Sequence, residues 1–128
     1  KRPLSSMSPS FIESTEDFAS FGTPGGSRIP SMILLAMLEY MDHQPIEQWP
    51  AAVRFHHQFR PDLIEHEPNA FNTTETTALE ALGHQFKSTG RQYGNQQVLL
   101  WNKQGGKVEV ASDPRGIGTA VAAPVVPQ

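Results

Sequence analysis

Two adjacent glycines, Gly25 and Gly26, follow Thr23-Pro24 and lead directly into an apolar run, Ile29–Met41. Proline presets its own φ, and glycine accepts φ values that other residues resist. The pair therefore sits at or just before the first turn of a helix. Backbone N–H groups there have no intrahelical acceptor, and the helix dipole is positive. Such a place can receive a phosphate, a carboxylate or the oxyanion of an acyl-transfer intermediate. By itself, a glycine pair of this kind more often just starts a buried helix. A second group of candidates lies upstream. Ser5, Ser6 and Ser8 carry hydroxyls able to donate to a carboxylate, or they belong to a plain polar arm held extended by Pro3 and Pro9.

Other polar residues suggest architecture rather than chemistry. In Arg54-Phe55-His56-His57-Gln58 the two histidines are adjacent. They cannot face one way on a strand, and they are poorly spaced for a helical zinc pair. They read as structural, with Arg54 paired to a buried or partner carboxylate. Asp113-Pro114-Arg115-Gly116 reads as an Asx-type turn that aims Arg115 at a carboxylate. No metal site and no cofactor motif is evident.

The elements that must hold these residues follow from patterning. Phe11-Ile12 and Phe18–Phe21 read as short strands joined by a turn at Ser14–Asp17. The second strand feeds the glycine turn and aims the following helix N-terminus at the sheet edge. Only Ser31 and Glu39 are clearly polar between Ile29 and Met41, which predicts a helix buried on nearly all sides and too short to span a bilayer. Pro45 suits the first position of a short helix disturbed at its end by Pro50. Leu63–Glu67 reads as a strand. A helix over roughly 73–82 is capped by Thr74 with Thr77 or by Asn72 with Glu75, and ends at Gly83. His84–Lys87 is a further strand candidate. Gln97–Asn102 and Lys107–Ala111 form a hairpin around Lys103–Gly106. The order predicts an α+β domain with a sheet layered against helices.

Composition sets the outer limits. The chain has 128 residues, 38 % hydrophobic content, 11 Pro and 10 Gly, enough for one core with much loop. A net charge of −3 without a basic block argues against a nucleic-acid surface. There is no Cys, hence no disulfide framework and no thiolate site. Neither a signal peptide nor a transmembrane segment is apparent. The first residue is Lys1, which suggests a processed product, a subunit or a fragment from which a targeting signal could have been lost.

Four stretches taken together are far more specific than any one: Lys1–Pro9 (KRPLSSMSP), Gly22–Ile29 (GTPGGSRI), Arg54–Gln58 (RFHHQ) and Ala111–Arg115 (ASDPR). In this order and spacing the chain resembles the C-terminal part of the small subunit of γ-glutamyltransferases (γ-glutamyltranspeptidases). The match thins after Gly116 and around Asn69–Thr77. The resemblance implies a fragment of an N-terminal-nucleophile hydrolase fold, an αββα sandwich, over residues 1–116, with 117–128 as a loosely held tail. It implies a self-cleaving precursor whose new N-terminal Thr is the nucleophile, assisted by its own α-amine. It also implies a γ-glutamyl donor such as glutathione, with an amino acid, a peptide or water as acceptor. Ser5 and Ser6 match the serine pair that holds the donor α-carboxylate. Gly25 and Gly26 match the pair whose N–H groups form the oxyanion hole. Arg54–Gln58 and Asp113–Arg115 match signatures taken to be structural.

The departures matter as well. No Thr precedes Lys1-Arg2-Pro3, so the expected nucleophile is not in this chain. The large subunit, whose arginine would meet the donor carboxylate, is the expected partner together with the earlier part of the small subunit. Pro30 stands where the family usually has an aliphatic residue, and Val53 where it usually has proline. The isolated chain is expected to be inactive, to have an unpaired sheet side and to self-associate. A periplasmic or extracellular location is implied by the resemblance alone. An acylase of the same fold and a binding module without a nucleophile are the alternative readings.

Overall fold

A computed structural model of the chain describes residues 5–123. The elements, in order, are β1 (Ser10–Glu13), β2 (Asp17–Gly22), a short 3-10 turn (Gly26–Arg28), α1 (Ile29–Met41), α2 (Gln48–Ala51), β3 (Phe55–His57), β4 (Ile64–His66), α3 (Thr73–Ala81), β5 (Phe86–Ser88), β6 (Gln97–Asn102) and β7 (Val108–Ser112). The predicted α+β class is correct. The strands form two separate sheets. One is a four-stranded antiparallel sheet ordered β1-β2-β6-β7. The other has three strands, β3-β4-β5, with β4 and β5 parallel.

Local signals account for most boundaries. The β1–β2 turn closes where the Ser14 hydroxyl accepts the N–H groups of Glu16 and Asp17. Of the two candidate caps for α3, Asn72 with Glu75 is the one used: Asn72 Oδ1 accepts from Glu75 N at 2.9 Å, and Glu75 Oε2 accepts from Asn72 N at 2.8 Å. Gly83 ends that helix at φ +95°. Its N–H donates to Glu80 O, and the N–H of His84 donates to Leu79 O, which is the Schellman pattern. The expected short helix begins at Gln48, later than Pro45, because residues 45–47 form a turn in which Gln48 N donates to Pro45 O. The strand β3 was not anticipated. Its three residues carry too little alternation to register.

The core lies between the four-stranded sheet and α1. Ala19 and Phe21 of β2, Val98 of β6 and Ala111 of β7 meet Ile29, Met32, Ile33 and Ala36 of α1, with Ile46 and Trp49 closing one end. The Trp49 ring stacks on Phe21 and meets Tyr40 edge-on. A smaller aromatic group, Phe55, His66, Phe71 and Phe86, sits on the second sheet.

One expectation needs correction. The helix α1 is not buried on nearly all sides. Its buried residues recur as Ile29, Met32, Ile33 and Ala36, one face at helical spacing, while Leu34 is 57 % and Met41 64 % exposed. Its composition is apolar all round, but the described residues cover only one face. The strand that feeds the glycine turn, β2, lies inside its sheet, between β1 and β6.

Candidate active site

The glycine turn is the first component. It leaves the end of β2 and passes through Thr23 and Pro24 into the 3-10 turn. Gly25 has φ +155° and Gly26 φ +61°, both on the side of the backbone map that favours glycine. A Cβ on Gly25 would run into the Cε of Met32. Among the described residues the N–H groups of Gly25 and Gly26 have no hydrogen-bond acceptor, and no side chain caps the turn. The carbonyls are occupied: Gly25 O accepts from Arg28 N at 3.2 Å, and Gly26 O accepts from Ile29 N and from Ser6 N. The turn thus keeps donors available beside a cleft.

The serine arm is the second component. Ser6 N donates to Gly26 O at 3.3 Å, which ties the arm to the turn. Ser8 Oγ donates to Ser6 O at 2.8 Å and so is engaged locally. The Ser5 and Ser6 hydroxyls have no partner among the described residues, and both residues are exposed. Ser5, Met7, Pro9, Thr23, Gly25 and Ile29 line a cleft of about 460 Å³. The predicted residues are thereby brought together, but unequally. Ser5 and Gly25 face the cleft, whereas Ser6 and Gly26 join arm to turn through their backbones. Lys1–Leu4, the start of the first matching stretch, lie outside the described residues.

The other two matching stretches build a buried ion-pair network behind this site. Arg54 is fully buried and donates to Asp113 Oδ2, to Pro50 O and to Tyr93 O. Arg115 donates to Glu67 through Nε at 2.9 Å and Nη2 at 2.6 Å, to Asp113 Oδ1 at 3.2 Å, and to the Pro50 and Ala52 carbonyls. The carboxylates also accept backbone donors. Glu67 takes Arg54 N and Tyr93 N, and Asp113 takes Gln96 N and Arg115 N. Arg115 N to Asp113 Oδ1 is the expected Asx turn.

The balance of charge in this network is set by contacts. Burial pushes the Asp113 carboxyl up, but the N–H groups of Gln96 and Arg115 and the Arg54 guanidinium outweigh it, so its pKa lies below the ordinary value. Burial lowers the pKa of Arg54, while the Glu67 carboxylate, against burial, raises that of Arg115. The Tyr93 phenol is pushed up to about 12 by burial and then by Glu67. Arg28 lies over the Tyr93 ring and holds Glu65, whose carboxyl it keeps below the usual range.

Sequence reasoning expected a carboxylate partner for Arg54 and an Asx turn that brings Arg115 to a carboxylate; both contacts are present, and Asp113 is shared between them. Sequence reasoning missed Glu67, Tyr93 and Met32. Two arginines and one aspartate left a charge to balance, which was the available signal for Glu67. His56 is buried with both ring nitrogens in use. Gln58 Oε1 can only accept, so His56 Nε2 donates to it at 3.2 Å, and Nδ1 is hydrogen-bonded with Ser31 Oγ at 2.8 Å.

The sequence profile of the gamma-glutamyltranspeptidase family matches residues 1–123. The chain belongs to that family. It is 39 % identical over 127 residues to the glutathione hydrolase proenzyme of Pseudomonas aeruginosa, covering 94 % of this chain and 22 % of that protein. The corresponding proenzyme of Escherichia coli is 32 % identical, covering 95 % and 21 %. In structure it is similar to a highly active mutant of the gamma-glutamyltranspeptidase from Pseudomonas nitroreducens, with a TM-score of 0.80, 36 % identity, and coverage of 98 % of this chain and 66 % of that one. The α+β fold is therefore a fragment of the N-terminal-nucleophile hydrolase fold of that family. The chain spans about a fifth of the length of these two proenzymes.

Proposed function

We propose that this chain is part of the small subunit of an enzyme that breaks γ-glutamyl bonds. The donor is glutathione or a related γ-glutamyl compound, and the acceptor is an amino acid, a peptide or water. In this reading the Gly25 and Gly26 N–H groups stabilise the oxyanion formed when the nucleophile attacks the γ-carbonyl. Each such donor typically lowers the barrier by about 3–4 kcal/mol. The Ser5 and Ser6 hydroxyls hold the donor α-carboxylate. The nucleophilic threonine, with its own amine as base, belongs to a segment ahead of Lys1. The large subunit is the main protein partner. Export to a periplasm or to the cell exterior goes with this reading, and cell fractionation tests it. Among the described residues no helix is long and apolar enough to cross a membrane.

The observation that supports the reading best is the convergence of Ser5 and Gly25 on one cleft, beside two N–H groups without acceptors among the described residues. A hydroxyl suited to one anion near backbone donors suited to another supports this reading, because a γ-glutamyl donor presents both anions during acyl transfer.

The deciding experiment is expression of the full-length precursor, followed by intact mass and by turnover of a γ-glutamyl anilide. Two subunits with a new N-terminal Thr and turnover are expected. Replacing both Ser5 and Ser6 by Ala is expected to raise the KM for the donor. An uncut, inactive precursor would overturn the reading and favour a binding module. The 128-residue chain alone is expected to be inactive, and anilide hydrolysis by it would refute that.

A further inference from the structure

The geometry points to Met32 as a positioning residue that holds the Gly25 turn against the buried ion-pair network. This inference rests on the reading of Gly25 and Gly26 as oxyanion donors. Met32 is 1 % exposed, and its thioether lies between two glycines of positive φ. On one side, Met32 Cε occupies the space where a Cβ on Gly25 would go. On the other, Met32 Sδ stands 2.7 Å from where a Cβ on Gly94 would go. Arg54 Nη1 fills the rest of that space. The backbone at Gly94 is itself fixed by the network, since Tyr93 donates its N–H to Glu67 and its carbonyl accepts from Arg54.

A continuous column of contacts therefore runs from the ion pairs through Gly94 and Met32 to Gly25. Both glycines lack a Cβ where the methionine passes. Methionine is unbranched and fills irregular gaps, so a shorter side chain would leave Gly25 without its backing wall. Turn donors act through placement, and a displacement of an ångström at such a site is costly. Met32 touches no reacting atom in this reading. It acts through the turn.

The test uses the full-length protein and compares Met32→Ala, Met32→Val and Met32→Leu with Ile33→Ala, another buried residue of α1. Turnover of a γ-glutamyl anilide is scaled to processed enzyme by intact mass, and Tm is measured alongside. Met32→Ala is expected to lower kcat by about 10- to 100-fold while KM stays nearly unchanged. Met32→Val should be intermediate, and Met32→Leu should recover most of kcat. Ile33→Ala should lower Tm comparably and keep kcat. Equal kcat losses in Met32→Ala and Ile33→Ala, or a loss confined to KM, would overturn the inference while leaving the proposed function intact. An inactive wild-type precursor would overturn both.

Discussion

At the scale of single residues, the two glycines of the turn are not equivalent. Gly25 is closed to a side chain by its φ and by Met32, whereas Gly26 has open space around the position of a Cβ and is constrained by φ alone. The left-handed conformation costs an L-residue roughly 1–2 kcal/mol. Gly26→Ala is therefore expected to lose about that much stability, and Gly25→Ala more, because Met32 must also move. Denaturant melts of the two variants check the order, and a milder Gly25→Ala would contradict it. The same asymmetry shows what could be read in advance. A glycine pair before an apolar run is visible in the sequence. That one of the two is walled by the side chain of Met32, which is itself backed by Gly94 and Arg54, is a tertiary fact with no local signature.

At the scale of elements, the ion-pair network ties the end of α2, the residue before β3, the residue after β4, the loop before β6 and the turn after β7. It joins segments of both sheets at their ends. Removing one partner of a fully buried pair leaves the other charged and unpaired, at about 3–5 kcal/mol. Arg54→Met is expected to fall in that range by equilibrium unfolding. A pH dependence follows from Asp113. Its folded pKa is lower than its ordinary value of 3.8, so its contribution is complete above that value and is lost as pH falls through the folded pKa. Stability should hold from neutral pH to about 5 and decline below. Asp113→Asn should be less stable at pH 7 and flatter below pH 4. An acid limb as steep as that of the wild type would speak against it. Arg54, Asp113 and Arg115 were legible as structural because a residue pair like Asp-Pro announces a turn and a core arginine demands a carboxylate. Glu67 was hidden because it ends the run Leu63–Glu67, which reads in the sequence as an ordinary alternating strand.

At the scale of the molecule, the chain has one filled core and one bare side. Leu34, Leu38 and Met41 stand out from α1 in a row at helical spacing, and β1 and β7 each lack a second neighbour among the described residues. Open edges and an apolar stripe favour pairing with another surface. The isolated 128-residue chain is expected to sediment with increasing mass as its concentration rises, and Leu38→Glu to weaken that trend. A monomer at every concentration would refute it. The all-round apolar character of α1 was legible in the sequence, but its one-sided burial was not. Hydrophobicity tells that a face will be covered, and not by which part of a longer protein.

The carboxylates of Glu67 and Asp113 have one more consequence. Each holds an amide of the loop ahead of β6, Tyr93 N for Glu67 and Gln96 N for Asp113, although neither residue belongs to a strand. An amide bonded to a buried carboxylate cannot meet solvent unless the network opens, and opening it parts the two arginines from their partners. In deuterium exchange these two loop amides should therefore behave like those of the central strands, surrendering their protons only when the domain unfolds as a whole. An irregular loop would then carry some of the slowest clocks in the protein.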